Sequence, residues 1–223
     1  MEIIFTNTFG FDLESPQPAD KHVPEWYKDI NSYRYNKRVP DLDVSATSTI
    51  KRCMPVFDTI TAGYIIVTPV DVYVHPDQRF TWANANFIEF HPLWQAYNHP
   101  LSNNAAYPKF SNPWTIKTPK GYSTLFVQPF HRESVFTIFP GIVDTDTYFG
   151  NVNFPFVLND PSFTGYIPKG TPMAQVIPFK RETWKSKLGG EKEKKETEKQ
   201  LIEAKSTFFD YYKKIWHKKK QYE

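Results

Sequence analysis

Short apolar runs that alternate with polar residues, separated by turn residues, fill the first 179 positions of the chain. The opening IIFTNTF alternates in this way, and YSTLFVQPF and SVFTIFPGIV continue the pattern. Gly, Pro, Asn and Asp cluster between the runs, as in HPD, SNN and PKG, and these residues favour turns. The pattern predicts a mainly β body, a barrel or a jelly-roll-like sandwich, with a short helix around Trp26-Tyr27-Lys28.

Residues 48–74 are rich in β-branched and aromatic side chains, which favour strands. They predict two or three strands, with Gly63 and Pro69 marking bends or bulges. Turn signals over residues 91–113 predict a long loop, flanked by strands in RFTWANANFIEF and WTIKTP.

The C-terminal segment follows a different period. Beyond the charged run EKEKKETEK, apolar residues recur every seven positions, which places them on one wide face of an α-helix. We expect a β-rich barrel domain over residues 1–188, a charged linker or helix start over 189–200, and an amphipathic helix over 201–220. Such a helix buries its apolar face against its own body, against a neighbouring subunit or against a membrane surface, and we favour packing within the protein or the oligomer. The apolar positions are Leu201, Ile202, Phe208, Phe209, Tyr212, Ile215 and Trp216.

Composition narrows the class of protein. Aromatic residues make up 17% of the chain and prolines number 19, which favours short strands and rigid turns over a helical bundle. Cys53 is the only cysteine, which excludes an internal disulfide, and its apolar surroundings predict a buried side chain. The opening residues lack the features of a signal peptide, and no apolar run is long enough to span a bilayer. We expect a cytoplasmic protein without a membrane span.

The net charge of +3 is unevenly distributed along the chain. Residues 180–223 carry 14 Lys and Arg against 8 Asp and Glu, a balance of +6, which leaves 13 against 16, or −3, for residues 1–179. A basic tail can bind nucleic acid, although a helix of mixed Lys and Glu is more often a solvated surface. We therefore favour a homo-oligomer or a protein partner over nucleic acid.

His75, Asp77 and His131 have the residue types and spacing of a two-His-one-carboxylate triad, which holds Fe(II) in oxygenases. The competing interpretation is structural, because His-Pro-Asp is also an ordinary turn in which Pro restricts φ and Asp accepts hydrogen bonds. The sequence leaves both interpretations open. Iron is the cofactor under the first, and none is expected under the second.

Two further groups of residues are candidates for binding. Aromatic residues in and around the predicted long loop, Trp94 and Trp114 among them, form either a stacking platform for a base, a sugar or a peptide, or a cap on one end of the body. Asp144 and Asp146 lie one residue apart, so in a strand they would face the same side as a cation-binding pair. In a turn they would be solvated.

Motifs within residues 140–179 resemble those of the dUTP pyrophosphatase and dCTP deaminase superfamily. GIVD at 141–144 is similar to the third motif of that family and GTPMAQ at 170–175 to the fourth, while AGY at 62–64 is similar to its opening motif. The resemblance implies a β-clip-like body. It also suggests a nucleotide as the ligand and Mg²⁺ as the cofactor.

The same resemblance implies roles for individual residues. Asp144 corresponds to the residue that handles an attacking water, Tyr148 to one that packs against a deoxyribose, and Gln175 to a group that positions the nucleotide, with Tyr64 in the same pocket. Ile65 stands where the family has a metal-associated Asp, and an alkyl side chain cannot hold Mg²⁺ or its waters. The Asp-Arg pair of the fourth motif is Thr-Pro in this chain.

The chain also resembles an uncharacterised family associated with tailed bacteriophages, on segments such as IKRCMP at 50–55 and IPKGTP at 167–172. That resemblance implies an accessory or assembly role in the host cytoplasm and no activity. Our first hypothesis is a non-catalytic binding or assembly protein built on a dUTPase-like β-barrel. Two alternatives stay open: a Mg-dependent nucleotide pyrophosphatase or deaminase-like enzyme, and an Fe(II)-dependent oxygenase.

Overall fold

The computed structural model describes residues 1–34, 48–83, 86–101, 107–206 and 212–223. The chain divides into two compact units. The domain bounds expected from the sequence stay a prediction. The first unit contains Met1–Pro24, Ile60–Arg181 and Tyr222–Glu223, and the second contains Glu25–Thr59 and Glu182–Gln221.

Strands dominate the first unit, which confirms the mainly β class. They are short because turn-forming residues interrupt the apolar runs every few positions. In chain order they are β1 Ile4–Asn7, β2 Gln17–Pro18, β3 Tyr64–Val67, β4 Val72–Val74, β5 Phe80–Trp82, β6 Ile88–His91, β7 Tyr107–Phe110, β8 Trp114–Lys117, β9 Tyr122–Val127, β10 Phe136–Ile138, β11 Gly141–Val143, β12 Phe154–Leu158, β13 Gly165–Ile167 and β14 Pro172–Lys180.

The strands form antiparallel sheets. The largest has the order β11-β9-β14-β3-β2, the next β10-β12-β7-β6 and the third β13-β4-β5, while β1 pairs with β8. Within the described part of the chain none of these sheets closes on itself, so the open sheets favour the sandwich over the closed barrel. A long loop was expected over residues 91–113, but this segment contains the strand β7. Residues of β7 pair with both β6 and β12.

β14 is the central and longest strand of the five-stranded sheet. It pairs with β9 from Gln175 to Lys180 and with β3 from Pro172 to Val176, with a bulge after Pro172. Both faces of β3 are covered, since Ile66 joins the main core and Ile65 packs in a second small core. A near-continuous apolar run, rather than strict alternation of apolar and polar residues, is therefore expected in β3.

Phenylalanine fills the main core. Phe110 stacks on Phe156 with ring centroids 3.9 Å apart, and its edge meets Phe136 at 4.9 Å. All three rings are fully buried. Aromatic residues thus supply the largest buried side chains of this core, since aromatic rings bury large apolar areas in few positions.

The helices are short outside the C-terminal segment. α1 spans Glu25–Asp29, as the sequence predicted, and α2 spans Met54–Ile60, where strands were expected. Pro55 in the first turn explains the helix, because proline has a helical φ and lacks only an N–H that needs no partner there. Cys53 precedes α2 and is exposed, so the prediction that it is buried was wrong.

A C-terminal helix is present, as predicted, but α3 spans Glu191–Ser206 and so begins within the segment expected to be a charged linker or helix start; a π-helical turn follows at Tyr212–Trp216. Phe208 and Phe209 lie outside the described residues. Leu201 is 55% exposed and Ile202 is 67% exposed, so this chain alone leaves the start of the apolar face uncovered. No helix among the described residues is long and apolar enough to cross a membrane.

Candidate functional site

Gln175 is a buried polar side chain of the central strand β14, with 1% of its area exposed. Its Oε1 accepts a hydrogen bond from the Phe130 backbone N–H at 3.0 Å, and its Nε2 donates to the Ala62 carbonyl at 2.7 Å. A buried amide needs partners for both ends. The side chain therefore joins β14 to two turns, one at residues 62–63 and one at residues 130–132, and we call this arrangement the Gln175 junction.

Gly63 lets the first of these turns lie directly against β14. Its φ is +68°, in the left-handed region, and a Cβ placed on it would lie 2.0 Å from the Val176 carbonyl oxygen. No residue with a side chain fits there without moving the backbone. The predicted bend at Gly63 is confirmed, and the contact with Val176 is its physical reason.

Arg132 lies in the second turn and is half-buried. One of its terminal nitrogens donates to the His22 carbonyl, while its Nε is buried and has no hydrogen-bond partner among the described residues. Burial lowers the pKa of the Arg132 guanidinium. Burial and the Arg132 charge also lower the pKa of His22, and Glu14 opposes this shift to a smaller extent. An anion at this position would complete the hydrogen bonding of Arg132.

Asp146 is bound by Arg181, a partner that the sequence did not suggest. The guanidinium contacts the carboxylate in a bidentate pair, with Nη1 to Oδ1 at 2.8 Å and Nη2 to Oδ2 at 2.5 Å. The Gly121 backbone N–H donates to Oδ2 at 2.8 Å. The Arg181 hydrogen bonds, followed by the one from Gly121, lower the pKa of Asp146 to about 2. Asp146 therefore acts as an anchor for the end of β14.

Asp144 shares the same guanidinium, with its Oδ1 3.1 Å from Arg181 Nη1. The Ser123 hydroxyl also donates to Oδ1, at 2.6 Å. Asp144 and Asp146 lie in a turn after β11, where the Thr147 and Tyr148 N–H groups bond the Asp144 carbonyl. Of the two interpretations from the sequence, the turn is the one observed, and in it both carboxylates bind a protein cation, Arg181.

Asp144 and Gln175 lie at different ends of the sheet. Asp144 bonds Ser123, whereas Gln175 lies opposite Val127 on the same strand, β9. Four residues of extended strand span about 13 Å. Within one chain the two side chains do not share a pocket, and their catalytic roles stay a prediction.

The candidate ligand-binding aromatics fall into two pairs. Tyr64 and Trp114 are each 8% exposed, and the Tyr64 ring meets Phe5 at 5.2 Å in the core, where burial raises its pKa. Trp94 is 75% exposed, in a 3₁₀ turn after β6, and Tyr148 is 49% exposed, in the turn after β11. The four therefore do not form one surface.

The structure does not assemble the predicted iron triad. His75 Nε2 lies 2.6 Å from the Thr81 hydroxyl, and Asp77 binds Arg79 at 2.5 Å, both within the β4–β5 hairpin. His131 has a φ of +55° in the separate turn after β9. Among the described residues, no three His, Cys, Asp or Glu side chains form a group that could hold a metal ion. The turn interpretation accounts for these contacts, since local partners hold His75 and Asp77.

Sequence reasoning missed two features that have functional weight. Arg181 follows the last apolar run and carried no motif, so only the pairing of β14 with β9 shows that it meets Asp146. The segment after Arg181 is exposed at every position up to Ile202. The sequence signal for this exposed segment was the placement of the apolar residues Trp184 and Leu188 among lysines.

No family model matches the chain, and no curated protein matches it. Solved structures similar to the chain are dUTPases of staphylococcal phages. The dUTPase of Staphylococcus bacteriophage 80alpha has 14% identity and a TM-score of 0.38, covering 85% of this chain and 97% of that one. A mutant of it with dUpNHpp has 13% identity and a TM-score of 0.39 with the same coverage. A mutant dUTPase of phage phi11 of S. aureus has 15% identity and a TM-score of 0.32, covering 72% and 95%.

These phage enzymes belong to the superfamily that residues 140–179 of this chain resemble. At such identities and TM-scores, the likeness assigns the chain neither a reaction nor a ligand.

Proposed function

We propose that this protein is a non-catalytic binding or assembly protein that forms a homo-oligomer through residues 182–206, which we call the C-terminal arm. One observation carries the proposal: every residue from 179 to 202 is exposed, although the segment contains large apolar side chains. Trp184 is 85% exposed and Leu188 is 95% exposed, beside the exposed Leu201 and Ile202 of α3. A group of large exposed apolar residues is typical of a surface that a partner covers.

The energies favour reciprocal contacts between copies. Burying one large apolar side chain contributes about 1.5–3 kcal/mol, so the four side chains supply roughly 6–12 kcal/mol. Association costs roughly 4–15 kcal/mol in lost freedom, so one arm on one acceptor is marginal. In a two-fold dimer each copy donates and receives an arm, which doubles the gain for a single association cost.

Charge supports a second copy of this chain as the acceptor. Residues 180–223 carry +6, whereas residues 1–179 carry −3, so the tail of one copy attracts the body of another. Nucleic acid, the other partner of a basic tail, offers no burial for Trp184 and Leu188 beyond base stacking. As part of this proposal the chain is phage-encoded and assembles in the host cytoplasm, the setting that the sequence resemblance implies.

The contacts of the predicted catalytic residues support a non-catalytic role. The Asp144 carboxylate accepts a hydrogen bond from Ser123 and pairs with Arg181, both at Oδ1. The Gln175 amide bonds two backbone groups and is buried. Contacts within the fold thus account for both side chains.

The test is the molar mass of the full chain by size-exclusion chromatography with light scattering. We expect an oligomer, and we expect the double variant Trp184→Ser with Leu188→Ser to be a monomer. The matched control replaces Lys185 and Lys187 with Ser in the same segment and should stay oligomeric. A monomeric wild-type chain, or a serine variant of unchanged mass, would overturn the proposal.

A second candidate function is nucleotide binding at the Gln175 junction, which the buried and unpartnered Nε of Arg132 favours. A phosphate oxygen is the acceptor that a guanidinium prefers. Thermal shift with the common nucleoside triphosphates and Mg²⁺ tests it, together with release of pyrophosphate. Stabilisation that disappears in Arg132→Gln supports binding, and no shift from any nucleotide removes this candidate.

A further inference from the structure

Three ionisable side chains meet in the second unit, outside the candidate site and outside the C-terminal arm. Asp58 lies on α2, and His217 Nε2 donates to its carboxylate, at 2.9 Å from Oδ1 and 3.2 Å from Oδ2. Lys220 Nζ donates to the same Oδ2 at 2.5 Å. The two donors lie 159 and 162 residues from Asp58 in the sequence, so the fold alone brings them to it. We call these three side chains the Asp58 latch.

The latch is largely shielded from solvent. The side chain of Asp58 is 17% exposed and that of His217 is 10% exposed, whereas Lys220 is half exposed. Burial raises the pKa of Asp58, but the hydrogen bonds from Lys220 and His217 and their charges outweigh it and leave this pKa below its ordinary value. Asp58 is the only ionisable residue of α2. It is therefore ionised at neutral pH, and one negative charge serves both donors.

The segment that the latch holds has little other burial. Residues 212–216 form the π-helical turn, and the His217 N–H closes it by donating to the Tyr212 carbonyl at 2.7 Å. Of residues 212–221, only His217 is not exposed. Attachment of this segment to α2 therefore depends on the latch more than on apolar packing. A contact that depends on so few buried groups can open without unfolding of the whole chain.

The latch also lies beyond the far end of the C-terminal arm. The arm begins directly after Arg181, whose guanidinium binds the Asp146 carboxylate. At His217 the chain is held by a second carboxylate, that of Asp58. The arm is thus part of a loop whose two ends are each fixed to a carboxylate of the same chain. Closing a loop restricts the positions that its residues can reach.

We infer that the Asp58 latch regulates the exchange of the C-terminal arm between copies of this chain, a role that rests on the proposed oligomer. While the latch is closed, each arm is restrained by its own chain at both ends. When the latch opens, the arm stays fixed only at Arg181, so Trp184 and Leu188 leave one acceptor and reach another more readily. Removing the charge of Asp58 opens the latch, because its donors then lose a partly buried ionic partner.

The first measurement tests the latch without requiring an oligomer. A nitroxide is attached to Ile215→Cys in a Cys53→Ser background, and its mobility is read by electron paramagnetic resonance. We expect a restricted spectrum that becomes mobile in Asp58→Asn. His217→Gln, whose amide nitrogen can still donate, should stay restricted, whereas His217→Leu should not. The matched control is Asp29→Asn, the same change at an exposed carboxylate of α1, and it should keep the restricted spectrum.

The second measurement tests the regulation. Chains labelled with ¹⁵N are mixed with unlabelled chains, and the appearance of mixed oligomers is followed by native mass spectrometry. We expect Asp58→Asn to exchange subunits on the order of tenfold faster than the wild type, since the loss of an ionic partner destabilises the closed latch. Asp29→Asn should exchange at the wild-type rate. Circular dichroism of each variant checks that the β body stays folded.

Each measurement has a result that would overturn the inference. Unchanged nitroxide mobility in Asp58→Asn would show that this charge does not hold the segment. Raised mobility with an unchanged exchange rate would remove the regulatory role, and so would dissociation of Asp58→Asn into monomers, which would make the latch part of the interface. A monomeric wild type would overturn the proposed oligomer and the regulation with it, while the nitroxide spectra would still decide whether the latch exists.

Discussion

Replacing Gly63 with alanine tests whether the turn before β3 is packed on the backbone of β14. The new Cβ would lie 2.0 Å from the Val176 carbonyl oxygen and 2.9 Å from its carbon. Both atoms belong to a strand that is paired on each side, so neither can move away as the end of a flexible side chain does. The left-handed φ of +68° adds strain of its own.

The magnitude follows from these two effects. Left-handed backbone costs a residue with a side chain roughly 1–2 kcal/mol, and overpacking costs roughly 1–3 kcal/mol. We therefore expect a loss of about 2–5 kcal/mol in the free energy of unfolding, a large share of the roughly 5–15 kcal/mol of a whole domain. For a chain of this size the midpoint of thermal unfolding should fall by roughly 5–20 °C.

The assay is thermal and urea unfolding followed by circular dichroism. In the same assay, two other glycines separate the strain of the left-handed backbone from the close contact with Val176. Gly121 has a φ of +86° with nothing within 4 Å of its Cβ position, so Gly121→Ala carries only the backbone strain. Gly141 has open space and no left-handed φ, so Gly141→Ala should have little effect. If Gly63→Ala loses no more stability than Gly121→Ala, the close packing on Val176 is refuted.

Further predictions concern the carboxylate anchor, the junction and the core. The pKa of Asp146 is lowered from 3.8 to about 2, so the stabilisation by its ionised form is present above pH 3.8 and is lost as the pH falls through 2. Acid unfolding of Asp146→Asn should lack this dependence on pH. An acid transition identical to that of the wild type would contradict the pairing with Arg181. Gln175→Leu leaves two half-buried backbone groups without their hydrogen bonds to Gln175 and should cost about 2–4 kcal/mol in urea unfolding, whereas a neutral result would exclude the junction. Phe110→Ala should cost about 3–5 kcal/mol, because it empties the stack on Phe156, and a loss below that of Gly121→Ala would contradict its central place in the core.

The sequence was sufficient to predict those elements whose pattern of apolar and polar residues is local. The strands β9 and β14 and the short helix at Trp26 follow from periodicity and composition, since a strand or helix repeats its pattern within a few residues. The apolar period also predicted a C-terminal helix, although α3 begins at Glu191, before the expected start at residue 201. The bend at Gly63 follows from the residue type alone. The helix α2 was missed because Met54–Ile60 contains β-branched and aromatic residues that suit either state, and packing decides between them.

The sequence by itself determined the β class and the apolar runs that become core strands, because both depend on the order of apolar and polar residues. Only the tertiary structure decided which candidates meet. It joined Asp146 to Arg181 across 35 residues, buried Trp114 while exposing Trp94, and paired His75 with Thr81 in its own hairpin. Side chains distant in the sequence are brought together by strand order and register, and neither is visible in a residue's neighbours along the chain.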